Sequence, residues 1–245
     1  MSLPTLAGAD WLRAPATRAL LDILDTGGEE ARVIGGAVRN TLLGEAVREV
    51  DVATTARPDE VMARTRAAGF KTIPTGVEHG TVTVVVDGTP FEVTTLREDV
   101  EAYGRHAQVR FGRDWVADAH RRDFTMNTLS VDRSGTLFDP VGGFPDVAAR
   151  RVRFVGDSDM RVREDYLRIL RFFRFHAHYG EGAPDADGLR AAIRGRDGLR
   201  RPSAERIAQE MRRLVVARNA ADTLARMSEA GLVESVFGGI VSPER

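Results

Sequence analysis

Glu49 and Asp51, two positions apart in EVDVATT, are carboxylates that a strand would turn to one side, because side chains alternate between faces along an extended chain. Paired carboxylates repel unless a cation lies between them. Oxygen-only ligands of this kind suit Mg²⁺, which takes one or two protein carboxylates and completes its shell with phosphate and water. Glu92 in FEVTTL alternates away from Phe91 and Val93 and is a candidate third carboxylate. Ahead of the pair, Val33-Ile34 runs into Gly35-Gly36 and then AVRNTLL, which Gly44 closes. A glycine turn entering a short helix exposes amide N–H groups at a helix N-terminus, where phosphates bind.

A second constellation lies in VREDYLRILRFFRFHAHY, read as one helix over 162–179. Asp165, Arg168, Arg171 and Arg174 are spaced three apart, so each touches the next in a row of about 13 Å, roughly the length of a nucleoside triphosphate. Leu167, Leu170 and Phe173 follow the same spacing and can pack on the core. A carboxylate only accepts hydrogen bonds and a guanidinium only donates them. Cytosine and adenine both present an amino donor beside a ring-nitrogen acceptor, the order that Asp165 and Arg168 would match; uracil and guanine reverse it. Glu164 would orient an arginine without touching the base, with Arg171 and Arg174 toward the phosphates. The same pattern also describes an amphipathic helix with a solvated basic face.

The elements that must position these groups alternate at first. A helix over 12–26 precedes a strand at 31–34, the AVRNTLL helix and the EVDVAT strand. Pro58 opens a helix that Gly69 ends, with Asp59 and Glu60 in its first turn. KTIP, TVTVVV and FEVTTL read as strands, the last two joined by an Asp87-Gly88 hairpin turn. Arg97 to His120 is polar and aperiodic, and is expected to be mobile without substrate. Helices are expected near 144–150, 162–179, 187–195, 203–217 and 220–230, with Ser203 an N-cap and Gly180 and Gly231 at C-termini. The fold class is α+β: a head over 1–148 with a small mixed, mostly antiparallel sheet, then an all-helical neck over 149–245.

The 245 residues contain no cysteine, which excludes disulfides, zinc-thiolate sites and thiol nucleophiles. The five histidines show no metal-ligand spacing. With neither a leader pattern nor a membrane-length apolar run, a cytoplasmic protein without a membrane partner is expected. The net charge of −1 conceals a division, since residues 150–215 hold sixteen arginines against ten acids. A basic surface of that kind attracts phosphate backbones.

GGAVRN, EVDVATTARP, GVEHGTVTV, FEVTTLRED, RRDFTMNTL and EDYLRILRFFRF follow one another in an order and spacing that resembles the bacterial class II tRNA nucleotidyltransferases, the CCA-adding enzymes. These belong with the poly(A) polymerases in the DNA polymerase β superfamily. The resemblance covers about residues 30 to 215. It implies a head with a five-stranded sheet and a helical neck, using CTP and ATP to build the 3′ CCA end of tRNA without a nucleic-acid template, with Mg²⁺ as cofactor. It further implies that Gly36 and Arg39 contact the triphosphate, that positions 49 and 51 bind metal, and that Asp165 and Arg168 act as an amino-acid template. Arg122 and Asp123 of RRDFTMN would meet phosphate and ribose, with Asn127 of the same motif in the nucleotide site.

The sibling poly(A) polymerases usually carry a basic G-R-R-F stretch where this chain has GVEHGTVTV, which favours CCA addition. The alternatives are an A-adding or poly(A) polymerase and a noncatalytic RNA-binding paralog; no protein partner is inferable. Three departures stand out: Glu49 for the usual first Asp of Asp-x-Asp, Asn40 where Asp commonly follows the arginine, and an end at Arg245 where relatives continue into body and tail domains.

Overall fold

Alternating valines in TVTVVV and the Asp87-Gly88 turn build one hairpin of a sheet, and the two turn residues have φ of 48° and 80°, the left-handed pair that a tight hairpin requires. A computed structural model describes residues 2–99 and 109–237. Two compact units result: Met1–Arg122 with Asn127–Phe144, and Asp123–Met126 with Pro145–Arg245.

The first unit runs α1 (Asp10–Arg13), α2 (Pro15–Leu24), β1 (Ala31–Ile34), α3 (Gly36–Leu43), β2 (Asp51–Thr54), α4 (Pro58–Ala67), β3 (Lys71–Gly76), β4 (Thr81–Val86) and β5 (Thr89–Thr95). There follow β6 (Arg97–Asp99), β7 (Val109–Phe111), α5 (Trp115–His120), β8 (Ser130–Val131) and β9 (Leu137–Phe138). The main sheet is mixed, in the order β3-β4-β5-β2-β1-β8-β9. Among the described residues only β2 and β5 pair in parallel, so the sheet is mostly antiparallel, as expected. It has seven strands rather than five, because β8 and β9, two residues each, extend the β1 edge. Two-residue strands leave no periodicity to read.

One face of this sheet is apolar. Val33, Val52, Val82, Val84, Phe91 and Val93 are at most 1% exposed, and α2 and α4 pack on the sheet with Leu20, Leu21, Leu24 and Val61 equally buried. Alternation therefore sends Asp51, Ala53, Glu92 and Thr94 to the opposite face.

The stretch expected to be irregular is partly ordered. β6 and β7 form a separate ladder from Arg97↔Phe111 to Asp99↔Val109, and the Asp114 carboxylate starts α5 by accepting from the N–H of Val116 and Ala117 at 2.8 and 3.2 Å. Pairing across a gap in sequence leaves no local pattern. Residues 100–108, the middle of the segment expected to be mobile, lie outside the described residues.

α6 (Phe144–Ala148) enters the second unit after its first residue; that unit further holds α7 (Ser158–Glu164), α8 (Leu167–Tyr179), α9 (Ala186–Gly195), α10 (Ala204–Val215), α11 (Ala220–Glu229) and α12 (Leu232–Phe237). Ser203 caps α10 as expected, accepting from Arg206 N at 3.4 Å. Leu170 and Phe173 are fully buried and Leu167 is 5% exposed, so the apolar side of α8 does face the core. The single helix expected over 162–179 is instead two. Asp165 is extended, at φ −151° and ψ 109°, and its Oδ1 accepts from Leu167 N at 3.1 Å. Such a local side-chain bond competes with helix continuation and restarts the chain as α8. Phe124 joins this core, its ring 4.9 Å from Phe175 and 5.0 Å from Phe154, which is why residues 123–126 belong to this unit.

Among the described residues no helix is long and apolar enough to cross a membrane.

Candidate active site

In the first unit, the turn after β1 depends on Gly35, whose φ of 65° and ψ of −117° would strain any residue carrying a Cβ. Its N–H donates to Leu129 O at 3.4 Å. No side chain caps α3, so its first N–H groups are presented without an internal acceptor. Arg39 curls back over this end: a Cβ placed on Gly36 would lie 3.8 Å from Arg39 Nη2. The guanidinium is fixed by amides, donating from Nη1 to Asn127 Oδ1 at 2.5 Å and from Nε and Nη2 to Asn40 Oδ1 at 3.1 and 2.8 Å. Gly35, Gly36, Arg39 and Asn127 thus come together at one helix end.

The carboxylates gather differently from expectation. β2 begins at Asp51, and Glu49 precedes it in an irregular segment over 45–50; strand alternation is not what relates the two. The parallel register Val52↔Val93 puts Asp51 beside Glu92 on the open face. Burial, then the charges of Glu92 and Glu49, push the Asp51 carboxyl up to about 6 against the opposing pull of Arg122. Among the described residues no group of three or more His, Cys, Asp or Glu side chains is arranged as a ready metal site. The set nevertheless fits a hard divalent cation. Its groups only accept, and their mutual repulsion at Asp51 is what a positive ion relieves.

A cavity of about 240 Å³ opens on the same face, lined by Ile34, Ala53, Thr94, Arg97, Asp118, Arg121 and Arg122. Three arginines against one carboxylate favour an anionic occupant. Asp118, 7% exposed, pairs with two of them: it accepts from Arg122 Nη2 at 2.8 Å and lies 3.5 Å from Arg121, and it also accepts from the backbone N–H of Arg97 at 3.4 Å. Sequence reading passed over Asp118, although its i,i+4 spacing to Arg122 on a helix was a usable signal.

In the second unit, Arg168 donates from Nε to Asp123 Oδ1 at 2.7 Å and from Nη1 to Arg161 O at 2.8 Å and to Glu164. Burial would lower the Arg168 pKa, but Glu164 and Asp123 hold it above its ordinary value. Arg171 reaches the other Asp123 oxygen at 2.8 Å. Arg174 leaves the row and pairs at 2.6 Å with Glu210 of α10. Asp165, at the helix break, accepts from Arg206 Nη2 at 2.7 Å. Glu164, Asp165 and Arg206 line a cavity of about 210 Å³ with Arg163, Tyr166, Arg201 and Pro202. Neither Arg206 nor Glu210 was singled out from sequence, since partners about 40 residues away leave no local trace.

Residues 31–153 match the family model described as the poly A polymerase head domain. The chain belongs to the poly A polymerase head-domain family. This bears out the resemblance carried by the six motifs. Within that family the chain is 42% identical over 221 residues to the mitochondrial CCA tRNA nucleotidyltransferase 1 of Danio rerio, matching 88% of this chain and 51% of the relative. It is 44% identical over 211 residues to the CCA-adding enzyme of Geobacillus thermodenitrificans, again 51% of that protein and 85% of this one. Among solved structures, the Bacillus stearothermophilus CCA-adding enzyme in complex with CTP superposes with a TM-score of 0.80 at 39% identity, over 89% of this chain and 52% of that one. The chain therefore spans about half the length of these relatives.

Proposed function

We propose that this chain carries the nucleotide-transfer machinery of a CCA-adding enzyme, moving CMP and AMP from CTP and ATP to the 3′ end of tRNA with Mg²⁺ as cofactor. The observation that supports it most strongly is the Asp51 carboxyl, raised toward neutrality beside Glu49 and Glu92 on a sheet face that also bears an arginine-lined cavity. Carboxylates that need a cation next to guanidinium groups that need an anion suit a metal–triphosphate substrate. The relative solved with CTP lends the substrate class. The absence of cysteine suits the reducing cytoplasm, the location we attach to this reading.

In this reading Glu49 and Asp51 hold the divalent cation, which supplies charge neutralisation at the phosphates and eases ionisation of the attacking hydroxyl. Gly35, Gly36 and the α3 N-terminus receive phosphate oxygens, and Arg39 adds charge at the same end. Arg122 reaches the phosphate from the cavity wall. The RNA 3′-oxygen bonds to the α-phosphorus, the bond from that phosphorus to the β-phosphate oxygen breaks, and pyrophosphate departs. The hydroxyl proton passes to Glu92, an exposed carboxylate that in this reading holds no cation.

The second unit selects the nucleotide. Asp165 accepts from the amino group of cytosine or adenine and Arg168 donates to the ring nitrogen. Glu164 and Asp123 hold Arg168 through Nη1 and Nε, which leaves the Nη2 donors to serve the base.

Labelled tRNA lacking its 3′ CCA, incubated with each NTP singly and with CTP plus ATP, tests the proposal. Two C additions with CTP and completion on adding ATP are expected. Incorporation of AMP alone would replace it with the A-adding reading that the family description also allows, and no incorporation would favour an RNA-binding paralog.

A further inference from the structure

Asn40 faces two ways. Its Oδ1 accepts from Nε and Nη2 of Arg39, while its Nδ2 donates to the carbonyl of Ala46 at 2.9 Å. Its own carbonyl accepts from Glu45 N at 2.8 Å. Asn40 therefore clasps residues 45 and 46 to the last turns of α3. The segment over 45–50 has no regular structure of its own, and its far end is tied down where Asp51 pairs with Ile34 in the β1–β2 ladder. Glu49 is suspended between these two attachments, three residues beyond the first and two before the second.

We propose that Asn40 is a positioning residue that sets the path of the 45–50 segment, and that Glu49 carries the longer carboxylate because the clasped path needs that reach. The inference rests on the reading of Glu49 and Asp51 as cation ligands. An amide can accept from a guanidinium and donate to a carbonyl at once, whereas a carboxylate can only accept. Asp at position 40 would keep the bond to Arg39 but set two acceptors against each other at Ala46, releasing the clasp. Asp at 49 would be one methylene short on the clasped path. Replacing both lets a freed segment carry a shorter ligand inward. The two positions are therefore coupled, although Asn40 touches no ligand itself.

The test is binding of Mn²⁺, followed by electron paramagnetic resonance, to the full chain and to Asn40→Asp, Glu49→Asp and the double variant, with thermal unfolding of each. Asn40→Asp should weaken Mn²⁺ binding by about tenfold, as loss of an outer-shell contact typically does, Glu49→Asp should weaken it because the ligand falls short, and the double variant should bind no worse than the weaker single one. One glycine inserted between Val47 and Arg48, leaving Asn40 intact, should imitate Asn40→Asp, and serves if that variant folds poorly. Unchanged Mn²⁺ affinity in Asn40→Asp, or losses that multiply in the double variant, overturns the coupling. Asp51→Ala separates the two levels: if it binds Mn²⁺ as well as the parent chain, the cation site itself is wrong, whereas if it loses the ion while Asn40→Asp keeps it, only the role of Asn40 falls.

Discussion

Arg168 Nε donates to Asp123 Oδ1 at 2.7 Å in a site where the two side chains are 14% and 10% exposed, so the guanidinium proposed to read a base is oriented by a carboxylate from a short segment far away in sequence. The second Asp123 oxygen holds Arg171 at 2.8 Å. Asp123→Ala should take one acceptor from the buried Arg168, which keeps Glu164 and Arg161 O, and one from the more exposed Arg171, and cost about 1 to 3 kcal/mol. Urea unfolding measures the cost, and equilibrium binding of the four NTPs should show the preference for CTP and ATP flattened. A variant with the parent's midpoint and nucleotide preference would show that Asp123 orients nothing.

Asp51 imposes a pH dependence whose sign follows from its raised value of about 6. The folded, metal-free chain holds this proton more tightly than the unfolded one. The stabilisation is complete below the ordinary carboxylate range near pH 4 and is lost as pH rises through 6. Allowing for solvent screening, the loss is about 2 kcal/mol. Chemical unfolding from pH 4 to 7 should show it in the parent chain and not in Asp51→Asn. Divalent-cation affinity should run oppositely, strengthening as pH rises through 6. A flat difference between the two chains would remove the carboxylate repulsion from the account.

Asp165→Ala should reduce discrimination against UTP and GTP by tenfold or more, since mismatched donors and acceptors would no longer face each other. Arg206 is expected to remain folded in place, being 51% exposed. Comparing kcat/KM for all four nucleotides decides the matter; unchanged ratios would mean that the break between α7 and α8 does not read the base.

Asp146 has no solvent exposure and accepts from Thr125 Oγ1 at 2.6 Å, Arg151 Nε at 2.6 Å and Arg153 Nε at 2.8 Å. Asp146→Ala strips three donors of their acceptor and should destabilise by about 3 to 5 kcal/mol. A shift below about 1 kcal/mol in denaturant unfolding would contradict this.

What the sequence revealed was whatever depends on near neighbours. The β1 strand, the Asp87-Gly88 hairpin, the closing Gly44, with φ of 70°, and the Ser203 cap are all set by residues within a few positions. The proposed ligand Asp51 and the proposed proton acceptor Glu92 were also visible, because alternation along each strand assigns a face. The interruption at Asp165 was not: periodicity continues across it, and only the side-chain bond to Leu167 N ends one helix and starts the next. Glu210 as the partner of Arg174 was equally hidden. Its role arises from packing, which brings together residues that no local period connects, whereas Asp118 sits at helical spacing from Arg121 and Arg122.

The covalent path passes between the two units three times, after Arg122, after Met126 and after Phe144. A simple cut near residue 148 would therefore not yield an independent catalytic module. It would strand Phe124 without the rings of Phe154 and Phe175, and Thr125 without the arginine carbonyl at 153 that receives its N–H at 2.9 Å. Gene shuffling among relatives faces the same constraint, since a transplanted helical unit must bring its own version of residues 123–126 spliced into a foreign sheet unit. The four-residue insert thus folds with the helices, although the gene writes it among the strands.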